Sequence, residues 1–151
     1  MSIDSDFFDR ITDKLVANLK ADVLLDRDLP GAVQVYKSPQ QVSTENHVVF
    51  VWRANIDEYA YSMGGAQQVK IWATWNVAAL TRTIGDPEEL ERQVSILAAN
   101  IVRHFGAHVQ ESGYWEFLQP QGSSADTVRT TENQTWELEL MPIQLKWETT
   151  L

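Results

Sequence analysis

The chain has 151 residues, of which 12 are basic and 21 acidic, giving a formal charge of −9 at pH 7. That length supports one hydrophobic core without covalent staples, and the absence of cysteine excludes both a disulfide framework and a thiolate zinc site. The acidic excess repels phosphate, which argues against tight nucleic-acid binding while leaving DNA free to pass nearby.

The N-terminal stretch MSIDSDFFDRITDK places acids where a secretory signal carries lysine or arginine, and no run approaches the roughly 18 apolar residues of a membrane span. A cytosolic protein without a membrane partner is expected. From Asp6 to Val23, the residues Phe8, Ile11, Leu15, Leu19 and Val23 recur at spacings of three and four, which predicts an amphipathic helix. Asp28, Pro30 and Gly31 then supply turn chemistry, and a short strand is expected from Val33 to Tyr36.

The middle of the chain carries the clearest signal. Two β-type runs, His47 to Tyr61 and Ala66 to Thr81, flank Met63-Gly64-Gly65, which reads as a long hairpin. A two-residue Gly64-Gly65 loop would set Phe50 opposite Ala79, Trp52 opposite Val77, Ala54 opposite Trp75 and Ile56 opposite Ala73, apolar against apolar in every pair. Each arm would reach about 45 Å and project beyond its helix cover. Near the tip, Tyr59, Tyr61 and Met63 stand among polar residues. A solvated hairpin end is one reading; insertion between neighbouring subunits is the other, with Tyr59, Tyr61, Met63, Gly64, Gly65 and Gln67 as the candidate contact.

Asp86 as N-cap, Pro87 at the first helical position and acids at 88 and 89 predict a second helix. Leu90, Val94, Leu97, Ala98, Ile101 and Phe105 form its buried stripe, and Gly106 marks its expected end. A short strand around Trp115 to Leu118, a polar loop from Gln119 to Asp126 and a last β stretch from Val128 to Trp147 follow. In that stretch the apolar phase changes at Met141-Pro142, which predicts a bulge or an edge position where the strand bends or changes partner. The whole reads as one α+β domain spanning residues 1–151: a mostly antiparallel sheet with a long β-hairpin, packed against two main helices.

Little in the sequence points to catalysis. His104 and His108 straddle Gly106, and a metal site there would need helical geometry that the glycine is expected to interrupt. The carboxylates at 88, 89 and 91 have a sufficient role at a helix N-terminus, and Glu137 and Glu139 alternate with apolar residues on a strand. No nucleophile motif or phosphate loop is present. No catalytic, cofactor-binding or metal residue is therefore assigned. Six tryptophans are hard to hide in one small core, and aromatic residues are enriched at protein contacts.

The element order, carried by DFFDRITDKLVANLK, VVFVWRANIDEYAYSMGGAQQVKIWATWNV, DPEELERQVSILAANIVRHF and TWELELMPIQLKWE, resembles the tail terminator, or tail completion, proteins of long-tailed bacteriophages. The resemblance covers nearly the whole chain and rests on element order and length. It implies a non-enzymatic virion protein of the tail-neck region, assembled in the host cytoplasm. Its partners would be further copies of itself in a ring, by analogy a hexamer, the tail tube protein, and a head-neck stopper or connector protein. DNA would pass through the lumen without specific binding. The family offers no fixed motif, so no site is carried over, and the tryptophan content departs from it. Another phage neck or tail tube protein of related fold is the nearest alternative. A small-molecule-binding or enzymatic α/β domain is the alternative from a different class and would need a concave pocket with convergent polar groups.

Overall fold

The computed structural model describes residues 3–40, 45–62, 67–82, 86–129 and 135–150. The elements run α1 (Phe7–Ala21), β1 (Val33–Lys37), β2 (His47–Tyr61), β3 (Gln68–Thr81), α2 (Pro87–Ala107), β4 (Phe117–Pro120), β5 (Ser124–Arg129) and β6 (Thr135–Thr150). All these strands share one sheet, in the order β1-β2-β3-β6-β4, with β5 also paired to β6. Every pairing is antiparallel except β1 with β2. The fold is thus α+β, a mostly antiparallel sheet packed against two helices.

α1 buries Phe7, Ile11, Thr12, Leu15, Val16 and Leu19. It stops two residues before the expected Val23, which lies outside the helix and is 86% exposed. Asp22 ends the helix in extended backbone, its N–H bonded to the Leu19 carbonyl. α2 begins as expected: the Asp86 carboxylate accepts the Glu88 N–H at 3.0 Å, with Pro87 in the first turn. Replacing Asp86 with alanine should cost about 1 kcal/mol, read from a urea unfolding curve. The C-terminal end differs from expectation, because α2 runs through Gly106 to Ala107 with His108 as its cap. The last turn is held from outside by the Trp115 indole N–H, which donates to the His108 carbonyl at 3.1 Å, so no glycine stop is needed.

The hairpin register also differs. At its base Phe50 pairs with Ala78, Val51 with Val77, Trp52 with Asn76 and Arg53 with Trp75. The expected pairs Phe50–Ala79, Trp52–Val77 and Ala54–Trp75 do not form, whereas Ile56–Ala73 does. Irregularities between Arg53 and Asn55 and between Ile56 and Glu58 each insert an unopposed residue on β2, which is the action of a β-bulge. Alternation could not fix the register because the strand is apolar on both faces at its base: Val48, Val49, Phe50 and Val51 are all buried. Met63, Gly64 and Gly65 lie outside the described residues.

The C-terminal third breaks where the sequence read continuously. Instead of a loop to Asp126 and one stretch from Val128, β5 begins at Ser124 and pairs antiparallel with β6. β4 is Phe117–Pro120 rather than Trp115–Leu118. β6 shows no bulge at Pro142, keeping one register with β3 from Thr81–Glu137 to Gln68–Thr150, but it does change partner there, from β5 up to Leu140 to β4 from Ile143. The Pro142 carbonyl accepts the Gln121 N–H at 2.9 Å. A strand residue's N–H and C=O point the same way, so the missing N–H of Pro142 faces the gap between β4 and β5, where no ladder bond is lost.

The phase change near Pro142 marks a switch of apolar face. Met141, Ile143, Leu145 and Trp147 join the core under both helices. Trp136, with Leu138 and Leu140 packed on it, belongs to a second cluster with Val48, Phe50 and Ala78. Among the described residues no helix residue belongs to that second cluster. Two apolar faces hide more tryptophan than one: Trp75, Trp115, Trp136 and Trp147 are buried, and Trp52 and Trp72 are partly buried.

Candidate assembly surface

Beyond Val51 the sheet narrows. β1 covers β2 only through the Lys37–Val51 pair, so among the described residues the segment from Trp52 to Tyr61 is an outer strand paired on one side, to β3. The ribbon is not the bare two-stranded hairpin expected, because β6 flanks β3 as far as the Gln68–Thr150 pair. A third strand supplies the extra pairing that a two-stranded ribbon lacks in water.

The two faces of this ribbon differ chemically. On the helix side, Tyr59 aligns with Ile71 and Trp147, and Tyr61 with Val69 and Thr149. Those inner residues are buried, yet Tyr59 and Tyr61 are 61% and 63% exposed. Their rings meet edge to face at 5.9 Å. Ile56, 41% exposed, continues the strip. Two bulges together restore the alternation they each interrupt, which is why Arg53, Tyr59 and Tyr61 share the helix-side face. Arg53 lies over the Phe8 ring at 5.1 Å.

The opposite face is polar. At the second bulge the Asp57 carboxylate accepts the Thr74 hydroxyl at 2.5 Å and the Gln144 amide at 3.0 Å, and also the Asn55 amide. Lys146 sits over the Trp72 ring at 4.9 Å. A carboxylate pinned across three strands braces an outer strand that, among the described residues, is paired on one side only, and bulges of this kind deter uncontrolled edge-to-edge pairing. Alternation placed Ile56 opposite Ala73, as observed, but gave no sign that it is exposed; for the bracing by Asp57 an acid in mid-strand was the available signal.

Of the sequence-predicted contact residues, Tyr59 and Tyr61 come together on one face. Gln67 is exposed at the end of the ribbon, where the Ser62 N–H bonds the Gln68 carbonyl at 2.9 Å. An open hollow of about 360 Å³ lies there, lined by Ala60, Tyr61, Ser62, Gln68, Lys70 and Glu148.

The two histidines weighed as a metal site, and the acid beside them, have partners within the chain. His104 and His108, expected to be separated by the helix end, stack with centroids 4.4 Å apart. Among the described residues no three His, Asp or Glu side chains form a metal-ligating group, and no helix is long and apolar enough to cross a membrane. A second hollow of about 250 Å³ contains Glu111, whose carboxylate is already bound by Lys14 at 3.3 Å and His108 at 3.3 Å.

No protein-family profile matches the chain, and no curated protein matches it by sequence. Among solved structures, a chain of the virion of a native gene transfer agent (GTA) particle is similar with a TM-score of 0.50 and 14% identity, over 87% of this chain and 90% of that chain. At that identity the likeness is one of fold.

Proposed function

We propose that the protein is a structural component of a phage-type virion, and specifically a tail terminator: a non-enzymatic subunit that forms a ring, hexameric by analogy, at the head-proximal end of the tail tube. The observation that carries this reading is the fold shared, over nearly the full length of both chains, with a component of a virion. The ribbon supports it. An outer strand exposing Ile56, Tyr59 and Tyr61 beside an otherwise filled core offers apolar area to a neighbour, and large aromatic residues dominate binding energy at such contacts.

On this reading the whole chain acts as one domain, and Tyr59, Tyr61, Met63, Gly64, Gly65 and Gln67 meet the adjacent subunit. The ring stops tube growth and meets a head-neck stopper or connector protein. Contacts between unlike surfaces of identical chains close into rings when the rotation per subunit divides a full turn. The charge of −9 per chain, repeated around a ring, gives DNA a lumen to which it does not adhere. Tail tube protein polymerised in the presence of this chain should yield tubes that stop lengthening. Tubes that incorporate the chain along their length would identify a tube protein instead, and tubes that grow unaffected would sink the terminator assignment.

A further inference from the structure

The sheet edge opposite the ribbon carries an apolar hollow of about 140 Å³, lined by Val102 and Phe105 of α2, Pro120 at the end of β4, and Met141, Pro142 and Ile143 of β6. It sits where β6 changes partner, between the Leu140 pairing with β5 and the Ile143 pairing with β4. Pro142 offers no N–H to this gap and its carbonyl is taken by the Gln121 N–H, so its backbone presents no unmet polar group there. Phe105, Met141 and Ile143 are core residues, whereas Val102 beside them is 60% exposed.

Size and charge together indicate what fits. An apolar cavity of about 150 Å³ takes a benzene ring, so this hollow suits one aromatic side chain. The ribbon exposes such rings, with Tyr59 midway along the strip formed by Ile56, Tyr59 and Tyr61. Within one chain they cannot meet. Tyr59 aligns with Trp147 on β6, four residues from Ile143, which places the two about 13 Å apart along the strands and about 10 Å apart across them. A contact between copies of a chain charged −9 must avoid setting acid against acid. None of the described residues lining the hollow is charged, and the strip is likewise uncharged.

We infer that the hollow receives the Tyr59 ring of a neighbouring copy of this chain. Residues at the centre of a contact carry most of its binding energy, and Tyr59 is the centre of the strip. Ser123, also in the lining, offers a hydroxyl to the phenol, which a buried tyrosine requires. The inference rests on the assembly reading, since a second copy provides the ring, and it adds the surface that receives it. Strip and hollow are unlike surfaces on opposite edges of one sheet, so successive copies join head to tail, the arrangement that closes rings.

Self-association of the full chain, alone and on phage tail tubes, tests this by sedimentation. Val102→Glu places a carboxylate in the lining and should weaken association at least about tenfold, because the contact would bury an unpaired charge. Combining it with Tyr59→Ser should weaken association by no more than about threefold beyond the stronger single change, since both remove one contact. Unchanged association in Val102→Glu, or a double variant weakened by the full product of the two single effects, would overturn the hollow as the receiving surface and leave self-assembly standing. A chain that stays monomeric both alone and with tubes would overturn the two together. Circular dichroism checks that the variants are folded, and Ser123→Glu, also in the lining, replaces Val102→Glu if that variant is not.

Discussion

Trp75→Ala should lower stability by about 4 kcal/mol, the largest loss expected from a single substitution in this chain. Trp75 is fully buried at the centre of β3. Its ring lies 6.4 Å from Phe8 and 6.0 Å from Trp147, which in turn packs on Phe7 at 5.1 Å. The residue therefore joins α1 to the middle of the sheet, and a cavity there cannot close without moving a helix. Its indole N–H donates to the buried Thr12 hydroxyl at 2.8 Å, so alanine also leaves Thr12 short of a donor. A loss near 4 kcal/mol is a large part of the roughly 5–15 kcal/mol that holds a typical domain folded. Trp72→Ala gives the contrast. Its ring is on the opposite face, partly exposed beneath Lys146, and it should cost well under half as much in the same urea titration. Equal losses at the two positions would show that the helix-side face is not the main core.

The same two-sided sheet explains what the sequence could and could not disclose. Helical spacing identified α1 and α2 because each has one apolar stripe and one polar face. Their ends were less legible: Val23 continued the spacing of α1 but had nothing to pack on, and Gly106 had the right residue type for a stop that Trp115 and His108 make unnecessary. Strand alternation found the hairpin but not its register, because Val48 and Phe50 are buried on the far face as thoroughly as Val49 and Val51 on the near one. Bulges at Ala54 and Asp57 have no apolar signature. β5 was hidden for a related reason, since its segment is polar and exposed through Thr127 and owes its form to backbone pairing with β6. The candidate contact was legible in part. Tyr59 and Tyr61 stood out as aromatic residues in a polar tip, whereas their shared face depends on two bulges together.

Replacing both Tyr59 and Tyr61 with serine should leave the monomer folded yet weaken its assembly by roughly a hundredfold to a thousandfold at each contact. Truncating a large aromatic side chain within an interface costs about 2 kcal/mol, and two neighbouring truncations combine less than additively. Within the monomer the loss is small. Both rings are mostly exposed, their closest aromatic partner is each other, and the strand keeps its bracing through Asp57, Thr74 and Gln144. Unchanged circular dichroism together with failure to cap tails would place the contact on this face. A variant that assembles as well as the parent would make the ribbon end a solvated loop and move the subunit contact elsewhere.

Electron microscopy of the purified protein mixed with phage tail tubes tests the proposed assembly. A tail terminator should appear as a ring of identical subunits at one end of each tube, absent when the protein is omitted, with each ribbon reaching into its neighbour. Tubes whose ends stay bare while the protein remains a free monomer would contradict it.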